Sequence, residues 1–170
     1  MQLEELDAIL IDGRSGSGKT SLADRLASRL RSVGRTAQIL HVEDLYPGWD
    51  GLAVGSQTVP EALAAGSYRR YDWIAGEFGD HATLSPGSPL IIEGCGAATA
   101  DNLAAVQRWV PCGGKVWSVW LSLPGEERRT RALARDGETF APHWDRWAAQ
   151  EDAHFAEHEP WDLVDEVLRG

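Results

Sequence analysis

One stretch limits this chain's fold more than any other: the apolar run "DAILID", Asp7 to Asp12, followed at once by "GRSGSGKT", Gly13 to Thr20. A short apolar run closed by a glycine-rich loop, which then opens into Leu22, Leu26 and Leu30 at helical spacing, reads as strand, loop and helix. The loop satisfies G-x-x-x-x-G-K-[ST] in full. Glycines let main-chain N–H groups turn inward around phosphate oxygens, and the helix N-terminus adds its partial positive charge. Gly13, Arg14, Ser15, Gly16, Ser17, Gly18, Lys19, Thr20 and Ser21 are therefore the expected nucleotide-binding residues. Lys19 would reach the β- and γ-phosphates of the nucleotide, and the Thr20 hydroxyl would ligate Mg²⁺. Of sixteen basic residues only Lys19 and Lys115 are lysines, so a lysine in the motif position is not a by-product of composition.

The remaining pattern alternates strands with helices. "AQILHV" (37–42), "PLIIE" (89–93) and "KVWSVWL" (115–121) read as buried strands, and "LVDEVL" (163–168) as a short last one. Helices are expected over 19–32, 101–109, 126–135 and 143–158, with helical pieces at 60–65 and 69–79. Residues 44–60 read as loop, and 136–142 as a mobile connection. Such alternation implies right-handed crossovers and a three-layer α/β sandwich. The expected sheet has five mostly parallel strands in the order 2-3-1-4-5, within one domain spanning 1–170 and carrying a small lid around 128–143. Ligands of such sheets bind beyond the carboxyl ends of the strands. The loop, Glu43-Asp44 and Glu93-Gly94 all fall there and should converge on one crevice.

Bulk properties exclude several classes. A formal charge of −10 offers no basic stripe to a nucleic-acid backbone. No apolar run approaches the ~20 residues of a membrane helix, and the N-terminus lacks the pattern of a secretory signal. Cys95 and Cys112 have neither metal nor disulfide-framework spacing, which suits a reducing interior. A cytoplasmic monomer or homodimer with a small-molecule partner is the expectation.

Glu43 and Asp44 end the second strand beside the loop. An acceptor hydroxyl loses a proton as it attacks phosphorus, and a carboxylate beside it can take that proton or orient the hydroxyl. Neighbouring residues at a strand end point in opposite directions, so one of the two is expected to face the acceptor. Arg128, Arg131 and Arg135 share one helical face and could clamp transferring phosphate, Arg131 and Arg135 ahead of Arg128. Trp49 is expected to face the acceptor. Trp117, Trp120 and Trp109 are expected in the core, and Trp144 and Trp147 are expected to pack their helix on the body. Cys95 and His41 read as structural.

In order, "GRSGSGKT", "EDLYPGWD", "YRRYDW", "LIIEG" and "RRTRALARD" resemble the uridine kinase and phosphoribulokinase branch of P-loop kinases. In that branch an Asp-x-Phe-Tyr/His element ends the second strand and carries the catalytic base. The resemblance places that base at Glu43, with Asp44 at the acidic position that often follows, and Leu45 and Tyr46 at the apolar and aromatic positions. Tyr71-Asp72-Trp73 is similar to the segment that contacts the acceptor, although Ala75, Gly76 and Glu77 stand where a histidine and an arginine usually follow. Glu93 matches the strand-ending glutamate that helps to hold Mg²⁺, and Arg131-x-x-x-Arg135-Asp136 resembles the start of a lid. The resemblance implies a phosphotransferase using ATP and Mg²⁺. Its catalytic residues would be Lys19, Glu43, Asp44, Arg131 and Arg135, its metal residues Thr20 and Glu93, and its acceptor residues Tyr46, Trp49, Tyr71 and Asp72. A nucleoside leads as acceptor, with a sugar, a nucleoside monophosphate or an antibiotic hydroxyl behind it. The rival reading is a nucleotide-binding regulator or slow ATPase.

Overall fold

The computed structural model describes residues 2–170. Strand β1 (Leu6–Gly13) runs into the glycine-rich loop and then α1 (Lys19–Ser32). Strand β2 (Gln38–His41) ends in a 3₁₀ turn (Val42–Leu45), followed by α2 (Leu52–Ala65) and the strands β3 (Ser67–Asp72) and β4 (Glu77–Thr83). After β5 (Leu90–Glu93), α3 (Ala100–Trp109), β6 (Lys115–Ser122) and α4 (Gly125–Asp136) come two short 3₁₀ turns. Helices α5 (Trp144–His158) and α6 (Pro160–Leu163) lead to β7 (Glu166–Arg169).

Five strands form one parallel sheet in the order β2-β5-β1-β6-β7. The numerals differ from the expected 2-3-1-4-5 because β3 and β4 precede the third sheet strand and pair only with each other. Both faces of the sheet are covered, which explains the unbroken apolar runs. On β1 and β5, Ala8, Leu10, Leu90 and Ile92 enter the cluster on one face, while Ile9, Ile11 and Ile91 enter the cluster on the other.

Two expectations need correction. Residues 69–79 are a hairpin rather than a helix, because the Asp72 carboxylate accepts from the N–H groups of Ile74 and Ala75 at 2.8 and 2.9 Å and closes a turn. Gly76 completes that turn at φ 74°, a left-handed backbone that favours glycine. Residues 52–60 are helical rather than loop; α2 tolerates Pro60 in its interior at the loss of one main-chain hydrogen bond. The 136–142 connection contains the 3₁₀ turns Gly137–Thr139 and Ala141–His143, anchored by the buried ring of Phe140.

Helix α5 buries Trp147, Glu151, His154 and Phe155 on one face. Phe155 is wholly buried and meets Trp120 edge-on at 4.8 Å. His154 Nε2 has no hydrogen-bond partner among the described residues. Burial, helped by the charge of His158, pulls the pKa of His154 down from the ordinary 6.5 to about 4. The unfolded chain therefore binds a proton in that window that the folded chain refuses, and folding stability falls with pH from about 6.5 to about 4. Urea unfolding across this range should show that loss, up to about 1.4 kcal/mol per pH unit, and His154→Gln should flatten it. Equal slopes in the two proteins would contradict this assignment.

Candidate active site

The glycine-rich loop is held from below by a buried carboxylate. Asp12, fully buried, accepts from Gly13 N–H at 2.7 Å, Gly96 N–H at 3.1 Å and Ala98 N–H at 2.8 Å. Burial lifts its pKa to about 6 against the pull of those three donors. The tie draws the end of β1 to the segment after β5. Gly16 and Gly18 adopt φ of 78° and 94°, and Gly18 opens α1 with no side chain capping its first N–H groups. Those amides are the groups that bind anions at helix N-termini.

Lys19 is 8% exposed, and its Nζ donates to the Arg14 carbonyl at 3.1 Å and approaches Cys95 Sγ at 3.6 Å. Burial opposes its charge, yet the negative groups around it, Glu93, Glu151 and Asp12 among them, outweigh burial and raise its pKa above the ordinary 10.5. Ser17 Oγ is buried in the loop without a partner among the described residues. Ser21, in the first turn of α1, is exposed.

Thr20 Oγ1 donates to Glu93 at 3.3 Å, and Glu93, itself 3% exposed, meets His41 Nδ1 at 2.5 Å. The hydrogen bond to Glu93 raises the His41 pKa despite partial burial. A hydroxyl and a buried carboxylate facing each other are hard oxygen donors. Mg²⁺ is usually held by one or two such protein ligands, with waters and phosphate oxygens completing the shell. Thr20 and Glu93 fit that demand.

Glu43 and Asp44 lie in the 3₁₀ turn that ends β2. Partial burial first, and then the Glu93 charge, raise the Glu43 pKa; Asp44 is raised chiefly by partial burial. Arg135 carries the nearby positive charge toward Glu43 and Glu93 while pairing with Asp136 at 2.7 Å. Arg131 is exposed and pairs with Glu127 at 2.7 Å. Arg128 makes the most direct contact of the three with the loop, donating to the Ser15 carbonyl at 3.1 Å and to the Leu123 carbonyl at 3.2 Å.

The aromatic residues divide. Tyr46 is 4% exposed, donates its hydroxyl to the Cys95 carbonyl at 2.6 Å and packs on Trp147, so its ring belongs to the core. Asp72 is occupied by the hairpin turn. Trp49 stacks on His143 at 4.3 Å and on Phe140 at 5.4 Å, and meets the hairpin's Trp73 edge-on at 5.0 Å, with Tyr71 beyond it. This cluster links the turn after β2, the hairpin and the segment before α5. A cleft of ≈ 500 Å³ opens at the carboxyl ends of β6 and β7, lined by Arg14, Arg128, Arg169, Trp120, Trp161 and Leu123 among others.

One residue that the sequence pattern passed over stands at the centre. Glu151 of α5 is 2% exposed, and its Oε1 accepts from Ser15 N–H in the loop at 2.6 Å. The available signal was a carboxylate set in the stripe Trp147, Glu151, His154 and Phe155, whose spacing is that of a buried helix face.

No family model matches the chain, and no curated protein does. Solved structures do. A possible uridine kinase from Bacillus stearothermophilus superposes with a TM-score of 0.60 at 21% identity, over 96% of this chain and 88% of that one. An APS kinase from Mycobacterium tuberculosis, in complex with AMPPNP and APS, gives 0.55 at 17% identity over 97% and 88%. A gluconokinase from Sinorhizobium meliloti gives 0.52 at 18% over 97% and 82%. The chain has the fold of the P-loop small-molecule kinases.

Among the described residues no helix is long and apolar enough to cross a membrane. Gly16 packs so tightly on α4 that an added Cβ would lie 2.1 Å from the Arg128 carbonyl oxygen, at a φ that side chains rarely adopt. Gly16→Ala should therefore lower stability by roughly 2 kcal/mol or more, from backbone strain and overlap together. Urea unfolding reads this; a variant as stable as the parent would show that α4 does not rest on the loop.

Proposed function

We propose that this protein is an ATP- and Mg²⁺-dependent kinase that phosphorylates a hydroxyl of a small metabolite, with a nucleoside as the leading acceptor. The observation that carries this reading is the gathering of Lys19, Thr20, Glu93, Glu43 and Asp44 at the carboxyl ends of β1, β5 and β2. The kinase folds of the superposable structures support it, as does the cleft beside Arg14 and Arg128, which has room for the nucleoside part of a nucleotide. The aromatic side chains of Trp49, Tyr71 and Trp73 favour a planar acceptor ring.

ATP, when bound with Mg²⁺, supplies the transferable phosphoryl group and the cation that balances its charge. The chain does the rest. Loop amides and Lys19 hold the phosphates, while Thr20 and Glu93 hold the cation. Glu43, with Asp44 beside it, accepts the proton of the attacking hydroxyl, and a carboxylate whose pKa is raised toward neutrality is the better base for this step. Arg135, across from Glu43 and Glu93, faces the charge that develops on the transferring group. Residues 128–143 act as the lid, and the stack of Trp49 on Phe140 and His143 is its latch.

The base must be ionised to work, so turnover should fall as pH drops through a value above the ordinary glutamate 4.5. Pooled nucleosides, sugars and nucleotides incubated with Mg²⁺ and ATP, with products read by mass, should yield one phosphorylated acceptor. Glu43→Gln should slow its formation by about 10²–10⁴-fold and remove the acid limb, with Asp44→Asn costing less. ADP forming at one slow rate whatever acceptor is added would overturn the kinase reading in favour of a regulator or slow ATPase.

A further inference from the structure

Glu151 presents a carboxylate to the loop that is read above as a phosphate site. It lies 136 residues from Ser15 in sequence, yet its Oε1 accepts from the Ser15 main-chain N–H at 2.6 Å and lies 3.4 Å from Cys95 Sγ. Its Oε2 is 3.7 Å from Arg14 Nη1 and 3.9 Å from Arg128 Nη1. The carboxylate is 2% exposed. Burying an unpaired carboxylate is costly; here one loop amide hydrogen-bonds it and two guanidinium groups lie within 4 Å, Arg14 itself donating to Asp152 at 2.6 Å. An amide aimed out of a glycine-rich loop together with planar guanidinium donors also suits a phosphoryl oxygen. Lys19 fits the same picture, since its Nζ is turned back on the Arg14 carbonyl and Glu151 is among the charges that sustain it.

We propose that Glu151 is an internal anion that occupies the phosphate loop, and that a nucleotide's phosphates must displace it from Ser15 N–H. The inference rests on the reading of the loop as the nucleotide-phosphate site. Two anions cannot share one amide, so nucleotide affinity is set by a competition within the chain. Displacement also reaches α5, which carries Glu151. One turn before it, Trp147 packs on Tyr46 at 4.9 Å and Trp49 at 6.5 Å, and one turn after it Phe155 lies under Arg14 at 5.5 Å. Occupancy of the loop is thereby passed to the Trp49 cluster that borders the acceptor side.

The test uses the full chain with Mg²⁺ and ADP, calorimetry for affinity and hydrogen exchange for α5. Glu151→Gln keeps the shape and an acceptor oxygen for Ser15 but removes the charge, and should bind ADP about 10-fold or more tightly than the parent. Glu151→Asp retains the charge on a shorter arm and should also bind more tightly. In the parent, ADP should raise exchange in α5, residues 144–158. ADP binding that Lys19→Ala abolishes but Glu151→Gln leaves equal or weaker would overturn the displacement alone, as would unchanged α5 exchange in the parent. Failure of the parent to bind ADP, or equal binding by Lys19→Ala, would overturn the reading of the loop, and the displacement with it.

Discussion

The site depends on one buried carboxylate. Asp12 accepts three main-chain N–H groups, one from the start of the glycine-rich loop and two from the segment after β5. Neighbouring parallel strands lie roughly 4.8 Å apart, but their loops need a further tie to converge. Asp12 supplies it, and so fixes Glu93 and Cys95 opposite Lys19 and Thr20. A buried carboxylate with three donors is also a stiff support, because releasing any one of them leaves a polar group unsatisfied away from water.

Above that support the crevice is a balance of close opposite charges. Five carboxylates, Asp12, Glu43, Asp44, Glu93 and Glu151, surround one lysine and the arginines 14, 128 and 135. Three of the five have separate partners: main-chain amides for Asp12, a hydroxyl and an imidazole for Glu93, and a loop amide with two nearby guanidinium groups for Glu151. Glu43 has no such fixed partner among the described residues, and burial with the Glu93 charge raises its pKa.

What the sequence disclosed followed the range of the forces involved. β1, the loop, α1 and β5 were legible because apolar runs covered on both faces and a glycine-rich phosphate motif are local patterns. The hairpin was not, since Arg69 and Arg70 interrupt its apolar alternation and its turn rests on the side chain of Asp72. Arg128 ranked behind Arg131 and Arg135 on one helical face, because periodicity identifies a face but not the residue on it that meets another element. Glu151 was silent for the same reason: its partner is a loop amide at the far end of the chain.

The central claim is that this crevice binds the phosphates of a nucleotide through the loop and Lys19. Phosphorus NMR of ATP and Mg²⁺ titrated with the protein tests it most directly. The account predicts shifts of the β- and γ-phosphate resonances that vanish with Lys19→Ala while that variant keeps its fold. Unshifted resonances, or shifts that survive the loss of Lys19, would contradict it.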